Sequence, residues 1–283
     1  MTVLVFGQSG QVATELRALP GTLCLGRADA DLEDPAACAA AITQHSPRAV
    51  INAAAYTAVD AAEDDAARAR VINGAAPAAM AQACAALSIP LVQISTDYVF
   101  DGGGTDPWTP DAPTAPLGVY GQTKLAGEQG VRAARGVHAI LRTSWVVSAH
   151  GTNFVKTMLR LGATRDALTV VADQIGGPTP ARAIAAACHA IAHQLQTAPD
   201  KTGTYHFAGA PDCSWADFAR AIFARADLSC AVSDIPSSAY PTAARRPLNS
   251  RLDTRTLTET FGIPRPDWRR GLADILEDLG HTP

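Results

Sequence analysis

The sequence predicts an α/β fold: a doubly wound parallel sheet with helices on both faces, followed by a smaller mixed α/β substrate-binding region. Three observations carry this. Short apolar runs recur through the first half, alanine-rich amphipathic stretches separate them, and a glycine turn directly follows the first run. In chain order the runs of strand length are Val3 to Phe6, Leu23 to Leu25, Ala49 to Asn52, Leu91 to Ser95 and Ala139 to Arg142. Parallel strands need crossovers, and continuously apolar strands indicate a sheet covered on both faces. The links joining the last four runs are long enough for crossover helices, while Gly7 to Gly21 fits a shorter helix.

From Asp101 the pattern loosens into Asp101-Gly102-Gly103-Gly104 and a proline-rich stretch from Pro107 to Pro116. Ligands in open α/β sheets sit beyond the carboxyl ends of strands, so this loop is a candidate active-site rim. After residue 148 the punctuation grows denser, with Gly176-Gly177-Pro178, Pro211, Pro236, Pro241 and Pro247. The expected organisation is a dinucleotide-binding Rossmann domain over residues 1–148 and a substrate-binding region over 149–283, interleaved with it.

Composition bounds the function. Of 283 residues, 47% are hydrophobic and 18% charged, enough for a sizeable core. Lysine and arginine number 23 against 27 acidic residues, a formal net charge of -4, which gives no electrostatic reason to bind nucleic acid or an anionic membrane. No apolar run approaches the ~20 residues of a membrane span, and no basic flank precedes Val3, so neither a span nor a signal peptide is expected. The six cysteines lie far apart without a C-x-x-C pair and read as reduced, buried thiols. His189 and His193 stand four apart but lack the intervening glutamate of zinc proteases, so no metal site is expected. A cytoplasmic protein fits these features.

Val3 to Ala13 reads as strand, glycine turn and helix start. Gly7 permits the turn, Gly10 lets a pyrophosphate approach the backbone, and Ala13 is small enough for the helix to pack on the strand. Arg27 ends the second strand, where an arginine suits a 2′-phosphate. NADPH is therefore favoured, with NADH as the alternative because Asp29 stands near enough to reach a ribose. Thr96 closes the fourth run, and Tyr120 and Lys124 stand one helical turn apart on a common face. A free phenol has a pKa of about 10; a neighbouring ammonium lowers it by stabilising phenolate. Thr96 can then hold a carbonyl oxygen against the phenol. Asn73, heading an amphipathic stretch, serves either as a support for the site through backbone bonds or as an N-cap.

The glycine loop, N-A-A-A-Y-T from Asn52, S-T-D-Y-V-F from Ser95 and Y-G-Q-T-K from Tyr120 resemble the extended short-chain dehydrogenase/reductases. A-Y-T-A-V-D-A-A-E from Ala55, V-Y-G-Q-T-K-L-A-G-E from Val119, D-Q-I-G-G-P-T from Asp173 and A-Y-P-T-A-A-R-R-P-L-N-S-R-L-D-T from Ala239 sharpen the resemblance to their dTDP-4-dehydrorhamnose reductase branch. The resemblance implies hydride transfer from NADPH to C4 of a dTDP-linked 4-keto-6-deoxy sugar, with Tyr120 as proton donor, Lys124 on the ribose and Thr96 on the substrate carbonyl. It further implies Gly10, Gln11 and Val12 at the pyrophosphate, Asp31 and Leu32 at adenine, and Ala55, Tyr56 and Thr57 beside the cofactor. Asp97 and Trp145 would contact the deoxysugar nucleotide.

Arg245 and Arg246 are candidates for the diphosphate or base, since arginine suits bidentate phosphate recognition, and Asn249 close by is a further candidate for the substrate. Some members of the branch are dimers sharing magnesium through glutamates. Glu15 matches one such position, but Arg182 replaces the second glutamate and opposes a divalent cation, so no magnesium bridge is expected and monomer and homodimer both stay open. Val147 replaces the usual aromatic after Ser-Trp-Val, which would alter the pocket wall. Two alternatives share the resemblance: an NADP-binding regulatory subunit like that of methionine adenosyltransferase, and a reductase or epimerase of another 4-keto sugar nucleotide.

Overall fold

The computed structural model describes residues 2–281. The five predicted runs form strands β1 (Val3–Phe6), β2 (Thr22–Leu25), β3 (Ala49–Asn52), β4 (Leu91–Thr96) and β5 (His138–Thr143). Two further strands, β6 (Ala167–Val171) and β8 (Ala231–Ile235), pair with each other in parallel away from the main sheet. Between them β7 (Gly203–His206) returns to that sheet and pairs with β5. The central sheet has six parallel strands in the order β7-β5-β4-β3-β1-β2.

Alternation along β1 shows why the sheet is wound on both faces. Val3 and Val5 join a core with helix α1 (Gln11–Arg17) and, from far along the chain, Ala181 to Leu195. Leu4 and Phe6 point the other way, onto helix α2 (Pro35–His45) and onto Met80 and Cys84. All four residues are wholly buried. Asp34 caps α2 by accepting from the amides of Ala36 and Ala37, each at 3.0 Å.

Residues 61 to 86 form one broken helical run: α3 (Ala61–Asp64), α4 (Ala66–Arg70), a π turn (Val71–Ala75) and α5 (Ala76–Ala86). Helix α6 (Val119–Ala133) follows β4 and packs on this run. Beyond β5, α7 (Phe154–Gly162) leads away and α8 (Ala181–Leu195) comes back to cover β1, β3 and β5. The short β7 follows. Its sequence, Gly-Thr-Tyr-His, lacks the apolar run that marks the other strands, and its pairing with β5 is what makes it a strand.

The remaining helices are α9 (Trp215–Arg225), α10 (Arg255–Phe261) and α11 (Trp268–Asp278). A third core, with Val155, Leu159, Phe218, Ile222, Trp268 and Leu272, joins α7, α9 and α11 over β6. The loop from Asp101 to Pro116 is fastened from below. Trp108 stacks on Phe100 with centroids 4.7 Å apart, and Arg142 donates to the Pro110 carbonyl at 3.0 Å. Burial pushes His206 down to about 3, so its neutral ring donates from Nδ1 to the Trp108 carbonyl at 2.9 Å.

All six cysteines are free. Among the described residues no helix is long and apolar enough to cross a membrane, and no three metal-ligating side chains cluster.

Candidate active site

The glycine turn behaves as a cradle. Gly7 has φ +119°, and a Cβ there would lie 3.1 Å from the Ala13 methyl, so neither position tolerates a larger residue easily. Gly10 precedes α1 with no side-chain cap, and a Cβ there would meet nothing within 4 Å. The space over this backbone fits a pyrophosphate. The side chains of Gln11 and Val12 are used elsewhere, leaving their backbone amides for a ligand. Gln11 accepts from Ser148 Oγ and Asn153 Nδ2, both at 2.9 Å, and Val12 is buried in the core.

At the end of β2, Arg27 is 69% exposed and lies 3.9 Å from the Asp31 carboxylate. Asp29 accepts from the Gly26 amide at 2.8 Å, so one of its oxygens is already engaged. Asp31 accepts from the Glu33 amide and Leu32 packs into the core. The segment Ala55-Tyr56-Thr57, after β3, is gripped by Asn73. That side chain accepts from the Tyr56 amide at 2.8 Å and donates to the Tyr56 carbonyl and to Thr123 Oγ1, both at 3.1 Å. Asn73 lies inside the π turn rather than at a helix start, so it is not an N-cap and its bonds go instead to the backbone of Tyr56 and to Thr123.

Three side chains converge at the carboxyl end of β4. Thr96 is buried, donates to Asp97 Oδ1 and accepts from the Tyr98 amide, each at 3.2 Å. Tyr120 stands half-buried in the first turn of α6, beside Thr96 and edge-on to Tyr98 at 5.4 Å. Lys124 is buried one turn later and donates to the Ile94 carbonyl at 2.7 Å. Glu63 of α3 accepts from the Val119 amide at 2.9 Å and so caps the helix that carries both residues.

The electrostatics differ from the expectation. Burial pushes the Tyr120 phenol up to about 12 against the opposing influence of the Thr96 hydroxyl, and Asp97 adds to the rise. Burial also brings Lys124 down to about 8, against the pull of Glu128. Desolvation dominates the phenol, and the Lys124 ammonium is not among the groups that shift it. At neutral pH Tyr120 holds its proton. Asp97 is lifted by burial to about 6, against the lowering influence of the Ser250 and Thr96 hydroxyls, and its Oδ2 has no partner.

Beneath this site Glu128 is wholly buried. It accepts from Ser95 Oγ at 2.6 Å and takes two bonds from Arg142, at 2.9 and 2.7 Å. Burial raises the carboxyl, but these donors outweigh it and hold the group ionised.

Beside Tyr98 opens a cavity of about 1200 Å³, walled by α7, β6 and the segment after β8. Arg165, Arg245 and Arg246 line it, against Asp60 as the one acid among its described lining residues. A local excess of two positive charges stands in a chain whose net charge is -4. Arg246, a candidate from the sequence, lines this cavity and is paired with Asp60 at 2.6 Å.

Other candidates lie elsewhere. Trp145 is one layer behind the wall: it stacks at 3.6 Å on Trp215, and Trp215 faces the cavity. Its φ of +48° is a strained conformation held by that stack and by the Thr179 amide, which donates to its carbonyl at 3.0 Å. Asn249 is a strut, donating to the carbonyls of Gly103 and Asp106 and accepting from Arg251. Val147 is buried in the third core, away from the cavity wall. Arg182 bonds Glu15 at 3.3 Å and Asp278 at 2.7 Å, placing a guanidinium directly against the expected metal-ligating carboxylate. His189 and His193 face each other at 3.2 Å.

Sequence reasoning missed Trp215, Arg165, Asp60 and Glu63. The last two lie in the A-Y-T-A-V-D-A-A-E motif, which was the available signal.

Residues 1–281 match the family model described as the RmlD substrate binding domain. The chain is 43% identical to a dTDP-4-dehydrorhamnose reductase of Sinorhizobium fredii over 95% of its own length and 94% of that protein. It is 40% identical to a protein of the same name from Escherichia coli K12, over 100% of this chain and 99% of that one. Among solved structures, a dTDP-4-dehydrorhamnose reductase from Clostridium acetobutylicum superposes with a TM-score of 0.92 at 35% identity, covering 99% of this chain and 100% of the other. One from Bacillus anthracis, in complex with NADP, gives 0.90 at 32% identity over 98% and 100%.

Proposed function

The chain belongs to the dTDP-4-dehydrorhamnose reductase family, and from that membership we propose that it reduces the C4 ketone of dTDP-4-dehydro-L-rhamnose to dTDP-L-rhamnose with NADPH. The observation that carries the reading is the Thr96–Tyr120–Lys124 cluster, with Thr96 and Lys124 buried and Tyr120 half-buried, adjoining a cavity whose charge suits a nucleoside diphosphate. When bound, the nicotinamide supplies the hydride. Everything else falls to the chain's own side chains.

Thr96 orients the ketone oxygen by donating to it, and Tyr120 releases its proton as negative charge develops there. A phenol at about 12 is fully protonated at neutral pH, and an alkoxide is basic enough to take that proton. The protonated Lys124 ammonium, held against β4, stabilises the phenolate left behind. Gly7 and Gly10 leave the pyrophosphate room, Asn73 fixes the segment Ala55 to Thr57 beside the cofactor, and Arg27 favours the 2′-phosphate over NADH. Arg165, Arg245 and Arg246 receive the substrate's diphosphate. Arg182 pairs with Glu15, which supports the reading that no magnesium bridge forms at that carboxylate.

The test is NADPH consumption with the 4-keto sugar nucleotide generated in situ, with identification of the product. Rapid oxidation giving dTDP-L-rhamnose supports the proposal. Tight NADPH binding without turnover would refute it and return the regulatory reading or another ketosugar. In Arg27→Ala, the ratio of kcat/KM for NADPH over NADH is expected to fall; an unchanged ratio would remove Arg27 from the cofactor site.

A further inference from the structure

One segment lines much of the cavity: residues 237 to 250, between β8 and α10. Its two ends are tied down. Ser237 donates to the Asp173 carboxylate at 2.7 Å, and the Asn249 amide donates to the Gly102 carbonyl at 3.0 Å. Between those ties Tyr240 and Leu248 are exposed, and Arg245 projects at the cavity. The middle of the segment is held at one residue. Asp60 accepts from the Ala244 amide at 3.0 Å through one carboxylate oxygen and from Arg246 Nη2 at 2.6 Å through the other.

The position of Asp60 makes this contact informative. It is the residue before α3, where an aspartate ordinarily caps its own helix. Here the carboxylate makes no such cap bond and turns to a partner 186 positions away. Glu63, in the same short helix, caps α6 and so fixes the turn bearing Tyr120. Helix α3 therefore holds the reacting helix with one carboxylate and the cavity strap with the other. Arg246 spends two of a guanidinium's five N–H donors on Asp60 and the Ala244 carbonyl, keeping three for an anion.

We propose that Asp60 is a positioning residue for the sugar nucleotide: it presets Arg246 and the strap at the cavity so that a nucleoside diphosphate meets an ordered guanidinium. The inference rests on the substrate class proposed above and adds the residue that arranges its recognition. A bystander or competitor role makes the opposite forecast. If Asp60 only competed with the ligand's phosphates for Arg246, removing its charge would tighten binding. Asp60 is about half exposed, at 47%, so its repulsion of a bound anion is screened. Ordering of a free segment carries no such screening and weighs more.

The experiment is calorimetric titration of the full chain with dTDP and, separately, with NADP+. In Asp60→Asn the dTDP Kd is expected to rise roughly fivefold to tenfold, while the NADP+ Kd moves less than about twofold. Asp60→Glu, which keeps the charge, is expected to recover much of the loss. An Asp60→Asn protein that binds dTDP equally or more tightly overturns the proposal. So does a parallel loss of dTDP and NADP+ affinity, which would mark Asp60 as a general strut. Wild-type protein that binds NADP+ but no dTDP would instead overturn the substrate class itself.

Discussion

The floor of the site and the cavity beside it are built on opposite rules. On the floor, Lys124, Glu128 and Arg142 are almost wholly buried, and each hands its hydrogen bonds to a protein partner. In the cavity, Arg245 is exposed, Arg165 makes no ion pair within 4.0 Å among the described residues, and Arg246 is held by a single carboxylate. Buried charges must be paired to exist at all, whereas charges at a cavity mouth are free to receive a ligand. The difference assigns the two regions different duties: the floor controls the chemical step and the fold, and the cavity controls recognition.

The largest effect that would break this division comes from the floor. Tyr120→Phe removes the proton donor and is expected to lower kcat by roughly 10²- to 10⁴-fold with little change in KM. Next is Glu128→Gln, which leaves Arg142 and Lys124 without their buried counter-charge. It is expected to cost about 3 kcal/mol of stability in urea denaturation. A loss below about 0.5 kcal/mol would mean that the floor does not depend on pairing.

Asp97→Asn should act in the other direction. A carboxyl raised to about 6 penalises the folded state when ionised, fully above the folded pKa and not at all below the unfolded one. The substitution is therefore expected to stabilise by about 2 kcal/mol at pH 8 and by almost nothing at pH 4, read as a difference in unfolding free energy. Arg165→Ala, from the cavity, gives the smallest effect: KM for the sugar nucleotide rising about threefold with kcat unchanged.

The same contrast explains what could be read in the sequence. The sheet was legible because β1, β3, β4 and β5 carry apolar residues on both faces, a pattern that needs no knowledge of partners. Thr96, Tyr120 and Lys124 were legible because their spacing on one strand end and one helix turn is local. β7 was not, since it is a strand only by pairing with β5. Nor was the cavity wall, because Trp215, Arg165 and Asp60 meet through contacts distant in sequence. Trp145 and Asn249, both suggested for the ligand, serve in the fold as a stacking partner of Trp215 and a strut, contacts that no local pattern announces. The phenol's acidity was misjudged for a related reason: the Tyr-Lys spacing is local, but burial depends on the whole fold.

The most direct single measurement is the pair of steady-state constants for the 4-keto sugar nucleotide, taken in parallel for wild type, Tyr120→Phe and Arg165→Ala under saturating NADPH. The account expects Tyr120→Phe to lose kcat at nearly constant KM and Arg165→Ala to raise KM at nearly constant kcat. If both substitutions moved the same constant, floor and cavity would not be separate devices, and the division of labour argued from their burial would be wrong.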